Sequence, residues 1–323
     1  MQKQHTVHRP DARHMTAATR TGSRPLAIVV HCHRSISRDS SRPVLRRIPP
    51  VYSAIRPSAL WRAARDQIRC GAPWIRRAAT EGLAKLYPDH AIVLTDSGTS
   101  ALQVALRLTA PQDGRSPLVA LPAYACPDIG AAAVAAGYRI VLYDTDPDTL
   151  SPDLPSLSRC LEAGCTHVIA VHLFGWIIDV RSLIDLAASF GAIVIEDAAQ
   201  HAGGSRDGVR GGALAEWSVL SFGRGKGLNA GGGGALLRQS TAPVATLADD
   251  DSPVTSGVDL AKAAGGELLS SPWLYWLPHT LPSLRLGQTV YHAAGVPRSI
   301  SPTSAALLLE ALHQEADARV GRQ

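Results

Sequence analysis

Asp197, Ser221 and Lys226 are three side chains whose types and spacing could do chemistry together. Asp197 follows a run of apolar, β-branched residues, Ala192-Ile193-Val194-Ile195, and a second acid, Glu196. Ser221 closes another such run, Trp217 to Leu220, and Lys226 follows in Ser-Phe-Gly-Arg-Gly-Lys-Gly. A carboxylate can hold a protonated ring nitrogen, a hydroxyl can bind a phosphate, and a lysine amine can condense with an aldehyde. Pyridoxal phosphate makes those three demands of a site. The glycines around Lys226 let backbone approach a ligand closely.

Other readings of the same residues fit less well. Gly223-Arg-Gly-Lys-Gly imitates a nucleotide P-loop, but Gly227 stands where Ser or Thr should follow the lysine. Gly231 to Gly234 imitates a dinucleotide fingerprint without a helix opening after it. Ser221 lacks the Gly-x-Ser-x-Gly of a hydrolase elbow. Near the start, His31-Cys32-His33 lacks a second ligand pair at a useful spacing, so no metal site is expected.

The elements that must position these groups alternate. Strands are expected at Ala91–Leu94, Leu118–Leu121, Arg139–Tyr143, His167–Val171 and the two runs above. Helices are expected at Thr99–Leu108, from Pro127 to Ala136, Pro155–Ala163 and Val180–Phe190. This pattern reads as an α/β fold, a mostly parallel sheet flanked by helices, with right-handed crossovers. Ligands in such sheets collect beyond the carboxyl ends of the strands. Ser97, Cys126, His172, Asp197 and Ser221 all fall just after strands. At Asp96-Ser97-Gly98 the turn into a helix offers free N–H groups, which suits either an ordinary cap or a phosphate. Ser58–Leu86 shows helical spacing of Leu60, Ala64, Ile68, Ile75, Ala79 and Leu83, and Ser301–Val320 that of Ala305, Leu308, Leu309 and Leu312. Residues 238–266 read as polar and irregular, and Ser205–Gly212 as a loop near the site. The aromatics Trp273, Tyr275, Trp276 and Tyr291 read as core or interface.

Composition bounds the class. A chain of 323 residues with 46% hydrophobic content can build a large core. The net charge of +5 gathers its positive excess near the start, without interleaved aromatics, so no nucleic-acid partner is expected. Five widely spaced cysteines are not a disulfide framework and suit a cytoplasmic setting. No apolar run is long enough to span a membrane. Residues 1–47 are expected to form a disordered basic extension, dispensable for thermal stability.

Five segments resemble the DegT/DnrJ/StrS family of sugar aminotransferases, within the fold-type-I pyridoxal phosphate enzymes. They are Ser97-Gly98-Thr99-Ser100-Ala101-Leu102, Pro122 to Pro127, His172-Leu173-Phe174-Gly175, Glu196 to Gln200, and Ser221 to Lys226. The resemblance covers about residues 48 to 320. It implies that Lys226 and Asp197 are catalytic, Lys226 binding the cofactor and moving a proton, Asp197 holding the ring nitrogen. It implies that Gly98, Thr99 and Ser221 bind the phosphate, with Ser100 also in the cofactor-binding set, and that Gln200 bonds the ring hydroxyl. Where many relatives stack an aromatic residue on the ring, this chain has Cys126. Either its sulfur or Tyr124 takes that place; a nucleophilic thiol is the third reading, without a locally paired histidine. His172 and His201 fall nearby with no role assigned. The substrates implied are a nucleotide-linked keto sugar and an amino-acid donor, in amino-sugar or polysaccharide synthesis, with a homodimer as the working form. Dehydratases on this scaffold carry histidine in place of the lysine.

The domain expectation is the extension at 1–47, a cofactor-binding domain at 48–240, and an irregular segment and helix at 241–323. The last leads toward a small domain that relatives place over the site and that this chain is expected to lack. Slow turnover by the chain alone, or a binding-only role, would follow from that.

Overall fold

A computed structural model describes residues 55–206, 208–240, 256–269, 271, 273–275 and 291–320. The basic segment 1–47, the acidic run Asp249 to Asp251 and Trp276 lie outside these residues.

The described chain enters through a long helix, α1 (Pro57–Ala84), then strand β1 (His90–Thr95) and helix α2 (Gly98–Leu108). Strand β2 (Leu118–Pro122), helix α3 (Pro127–Ala135) and strand β3 (Arg139–Tyr143) follow. Helix α4 (Leu154–Glu162), strand β4 (His167–Val171), helix α5 (Val180–Ala188) and strand β5 (Ile193–Asp197) complete the alternating part. A small hairpin of β6 (Ser205–Arg206) and β7 (Val209–Arg210) leads to β8 (Trp217–Ser221) and β9 (Gly234–Gln239). Helices α6 (Ser256–Leu269) and α7 (Pro302–Val320) end it.

Among the described residues, seven strands pair in the order β1-β9-β8-β5-β4-β2-β3. From β8 to β3 the neighbours run parallel; β9 is antiparallel to both β8 and β1. The mostly parallel sheet is present, with one reversed strand inserted beside β1. Strand β4 is buried along its whole length, as a sheet covered on both faces requires. Its side chains alternate between layers: Ile169 and Val171 pack with α2 and α3, Val168 and Ala170 with α4 and α5. The second face continues over β1, β8 and β9, where α1 and α7 pack on Leu94, Leu220 and Leu237. Along α7, Ala305, Leu308 and Leu312 are buried, as their spacing predicts. Of the late aromatics, Tyr275 is buried, whereas Trp273 and Tyr291 are exposed.

Three expectations are corrected. Along α1 the buried residues are Ala59, Ala63, Ile75, Ala79 and Leu83, whereas Ile68 is 87% exposed. Gly71, with φ 74°, kinks the helix and resets its phase, so one periodicity cannot describe both halves. Residues 238–266 are not irregular throughout: β9 runs to Gln239, and α6 starts at Ser256. Within 205–212, expected as a loop, the short strands β6 and β7 pair antiparallel.

His167, at the start of β4, is fully buried. Its Nδ1 lies 3.0 Å from Thr166 Oγ1 and its Nε2 3.0 Å from Thr109 Oγ1. Burial, against the opposing bond to Thr109, holds its pKa down at about 4. The unfolded chain takes up this proton near the ordinary histidine value, about 6.5, so between the two values it binds more protons than the folded chain. Stability is therefore lost as pH falls through that window, by at most about 1.4 kcal/mol per pH unit from this group. The His167→Gln variant should show a flatter stability profile there, read by denaturant titration at several pH values.

Candidate active site

The carboxyl ends of β1, β2, β4, β5 and β8 open on one cavity of about 190 Å³. It is lined by Ser97, Gly98 and Thr99 at the start of α2 and by Cys126 after β2. His172, Asp197, Gln200, Ser221 and Lys226 line it from the other strand ends. Two larger hollows, of about 320 and 530 Å³, border the segment after Lys226 and contain neither Asp197 nor Lys226.

The end of this cavity suited to an anion is the start of α2. Ser97 caps the helix by accepting the Ser100 N–H at 3.1 Å, and the two hydroxyl oxygens lie 3.0 Å apart. Ser100 is thus buried behind the cap and does not line the cavity, unlike the other expected cofactor-binding residues. N–H groups in a first helical turn lack partners within the helix and carry its positive dipole end. Gly98 is required here by contact: a Cβ on it would stand 2.9 Å from Ser221 Cβ and 3.3 Å from the Leu220 carbonyl. The α2 turn and the Ser221 strand end therefore meet at backbone distance.

Asp197 is buried at the end of β5, with Oδ1 accepting the Ala199 N–H at 2.9 Å. Burial raises its pKa, against the pull of that N–H and of the Lys226 charge. A cation placed beside it would offset that cost. Gln200 Oε1 accepts the Phe174 N–H at 2.7 Å, which leaves the donor end of the amide for an acceptor. Phe174 makes this bond from a left-handed backbone, φ 55°, a conformation that non-glycine residues rarely adopt.

Lys226 is half-buried in the turn after β8, its N–H donating to the Gly223 carbonyl at 3.2 Å. The flanking glycines have separate reasons. Gly225 takes a φ of 80°. Gly227 lies so close to the Ala202 carbonyl that a Cβ would overlap it. Gly227→Ala must therefore push the lysine turn away from the loop after Gln200. We expect a loss of about 1–3 kcal/mol in a denaturant melt, the scale of an overpacked site.

Cys126 faces the cavity and is solvent-exposed, and partial desolvation pushes its thiol pKa up. A thiol held protonated is a poor nucleophile. Tyr124 does not line the cavity; it is 60% exposed, its ring 6.3 Å from that of Phe174. Of the two stacking candidates, the structure brings only Cys126 to the cavity.

Two residues with no assigned part form a buried network behind Asp197. Glu196 Oε1 accepts from His172 Nε2 at 2.8 Å and from the Gly212 N–H at 2.6 Å. Its Oε2 accepts from the N–H groups of Leu214 and Ala215 and from Ser218 Oγ. Burial alone would raise the Glu196 pKa; the bond from His172 and the backbone donors outweigh it and hold the pKa below the usual range. The local signal for this network was a histidine just after β4 and an acid beside Asp197. His201 bonds elsewhere, its Nδ1 donating to the Gly175 carbonyl at 2.6 Å.

A model described as the DegT/DnrJ/EryC1/StrS aminotransferase family matches residues 75–247. The chain is 29% identical over 189 residues to a GDP-perosamine synthase of Caulobacter vibrioides, covering 58% of this chain and 46% of that protein. It is 31% identical over 141 residues to an L-glutamine:2-deoxy-scyllo-inosose aminotransferase of Streptomyces fradiae, covering 44% of this chain and 33% of that protein. The matched stretch thus spans less than half the length of these relatives. Among solved structures, AtS13 of Actinomadura melliaura superposes with a TM-score of 0.60 at 27% identity, over 84% of this chain and 69% of that one. Among the described residues, no helix is long and apolar enough to cross a membrane.

Proposed function

This chain belongs to the DegT/DnrJ/EryC1/StrS aminotransferase family, and on that premise we propose that it transfers an amino group from an amino acid to a nucleotide-linked keto sugar, with pyridoxal phosphate in the cavity between α2 and Lys226. The observation that carries this reading is the convergence of Asp197, Lys226 and the start of α2 on one cavity. A second copy of the chain completing the site belongs to the same proposal, as the family resemblance implies.

The residues present fit the cofactor. Gly98 lets the α2 turn pack directly on the Ser221 strand end, and the free N–H groups there with the hydroxyls of Thr99 and Ser221 suit a phosphate. At the other end, burial disfavours the Asp197 charge, and a protonated ring nitrogen beside it would offset that cost and favour the carboxylate. The amide of Gln200, its oxygen engaged by Phe174, offers N–H donors to a ring oxygen. When bound, the cofactor supplies an aldehyde for an amine and a ring that absorbs negative charge.

Lys226 is the amine within the cavity for that aldehyde, and its Nζ is the group that takes a proton from the substrate carbon and returns it. Asp197 keeps the ring nitrogen protonated by charge. Ser97, by holding the cap, keeps the first N–H groups of α2 turned outward to the anion. The names of the relatives above carry GDP-perosamine and 2-deoxy-scyllo-inosose, so the nucleotide linkage is the finer part of the proposal.

Reduction of the cofactor-loaded chain with borohydride, followed by peptide mass spectrometry, should place the pyridoxyl group on Lys226. A label on another lysine with none at 226 would remove Lys226 from the assignment.

A further inference from the structure

His172 is fully buried, yet it lines the cavity beside Asp197. Both its ring nitrogens are engaged: Nε2 with Glu196 Oε1 at 2.8 Å, Nδ1 with the Ile178 N–H at 3.3 Å. A nitrogen that accepts a backbone N–H carries no proton, so the ring is neutral with its proton on Nε2. The backbone N–H of His172 also donates to the Asp197 carbonyl at 3.1 Å, tying the two residues together.

We propose that Glu196 is a positioning residue for the ring end of the cofactor and acts through His172. The carboxylate fixes the tautomer and orientation of the imidazole. The imidazole then forms a polar, uncharged wall beside Asp197. A charged neighbour would compete with the cofactor ring as counter-ion to Asp197. An apolar one would push the Asp197 carboxyl further toward its neutral form, which cannot hold a protonated nitrogen. The backbone donors and Ser218 on Glu196 hold the carboxylate ionised and in place, so that it has a fixed geometry to impose.

The proposal rests on the cofactor reading above, and the experiment separates the two. The 323-residue chain and its variants are titrated with pyridoxal phosphate by absorbance and with inorganic phosphate by calorimetry. His172→Phe should weaken pyridoxal phosphate by about tenfold or more, the scale of one lost charge-assisted hydrogen bond, and change the absorbance of the bound form. Glu196→Gln, which keeps the size and removes the charge, should shift affinity and absorbance in the same direction. Affinity for inorganic phosphate, held at α2, should stay as in the native chain. Tyr138→Phe, which removes a buried bond to the Leu106 carbonyl outside both the Glu196 network and the cavity lining, should lower the melting temperature and leave both affinities and the spectrum unchanged. If His172→Phe does not fold, His172→Gln, whose amide can keep the bond to Glu196 while removing the ring, carries the same expectation. Native affinity and spectrum in the folded histidine variant would overturn the inference, as would an equal loss of phosphate binding. Failure of the native chain to bind pyridoxal phosphate would overturn the cofactor reading and this inference together.

Discussion

Lys226→Ala should lower amino transfer by about ten-thousand-fold or more while leaving the fold intact. A positioned general base contributes about 10² to 10⁴ in rate, and loss of the amine also removes the covalent route. The structural consequence should be small. The turn around Lys226 is set by Gly225, in its left-handed conformation, and by Gly227 against Ala202. Neither depends on the lysine side chain, so melting temperature should be near native. Lys226→Arg should fare no better in turnover, because a guanidinium keeps the charge but stays protonated. Steady-state rates with a keto sugar and an amino donor, together with thermal melts, separate the two effects. Substantial turnover in a folded Lys226→Ala protein would exclude the lysine from the chemistry.

Asp197→Asn should slow the half-reaction with an amino acid by about 10² to 10³, the cost of removing one preorganised electrostatic contact. Its effect on stability should run the other way. Burial raises the folded-state pKa of Asp197, so its charge disfavours folding at neutral pH. This cost grows as pH rises from the unfolded value through the folded one, and is complete above both. Asparagine removes the charge and can still accept the Ala199 N–H. Unliganded Asp197→Asn should therefore melt at or above the native temperature near neutral pH. Stopped-flow absorbance of the bound cofactor reads the rate, calorimetry the melt. Unchanged kinetics would take Asp197 out of the mechanism. A large loss of stability would mean that its carboxylate is chiefly a structural cap.

The sequence by itself determined the chemical groups and the ends of the elements that carry them. Asp197, Ser221 and Lys226 could be read because each follows a short apolar run, and a run of that kind is a local mark of a buried strand. The start of α2 was legible for the same reason: Ser97 and Gly98 are a cap and a turn written in adjacent residues. What only the tertiary structure decided involves contacts between distant segments. The phase of α1 depends on how its halves pack around Gly71, on α7 and the sheet face. The reversed strand β9 pairs Arg238 with Ala91 and Leu236 with Val93, a partnership that no local pattern encodes. Ser100 faces its own cap because the packing of α2 turns it inward, although its neighbour Thr99 lines the cavity. Cys126 reaches the cavity and Tyr124 does not, a difference of two residues that the β2–α3 turn settles. Glu196 could be seen as an acid, but its five donors come from the end of β4, from β8 and from the loop between the hairpin and β8. A buried charge is tolerated only where several donors converge on it, and convergence of that kind exists only once the chain has folded.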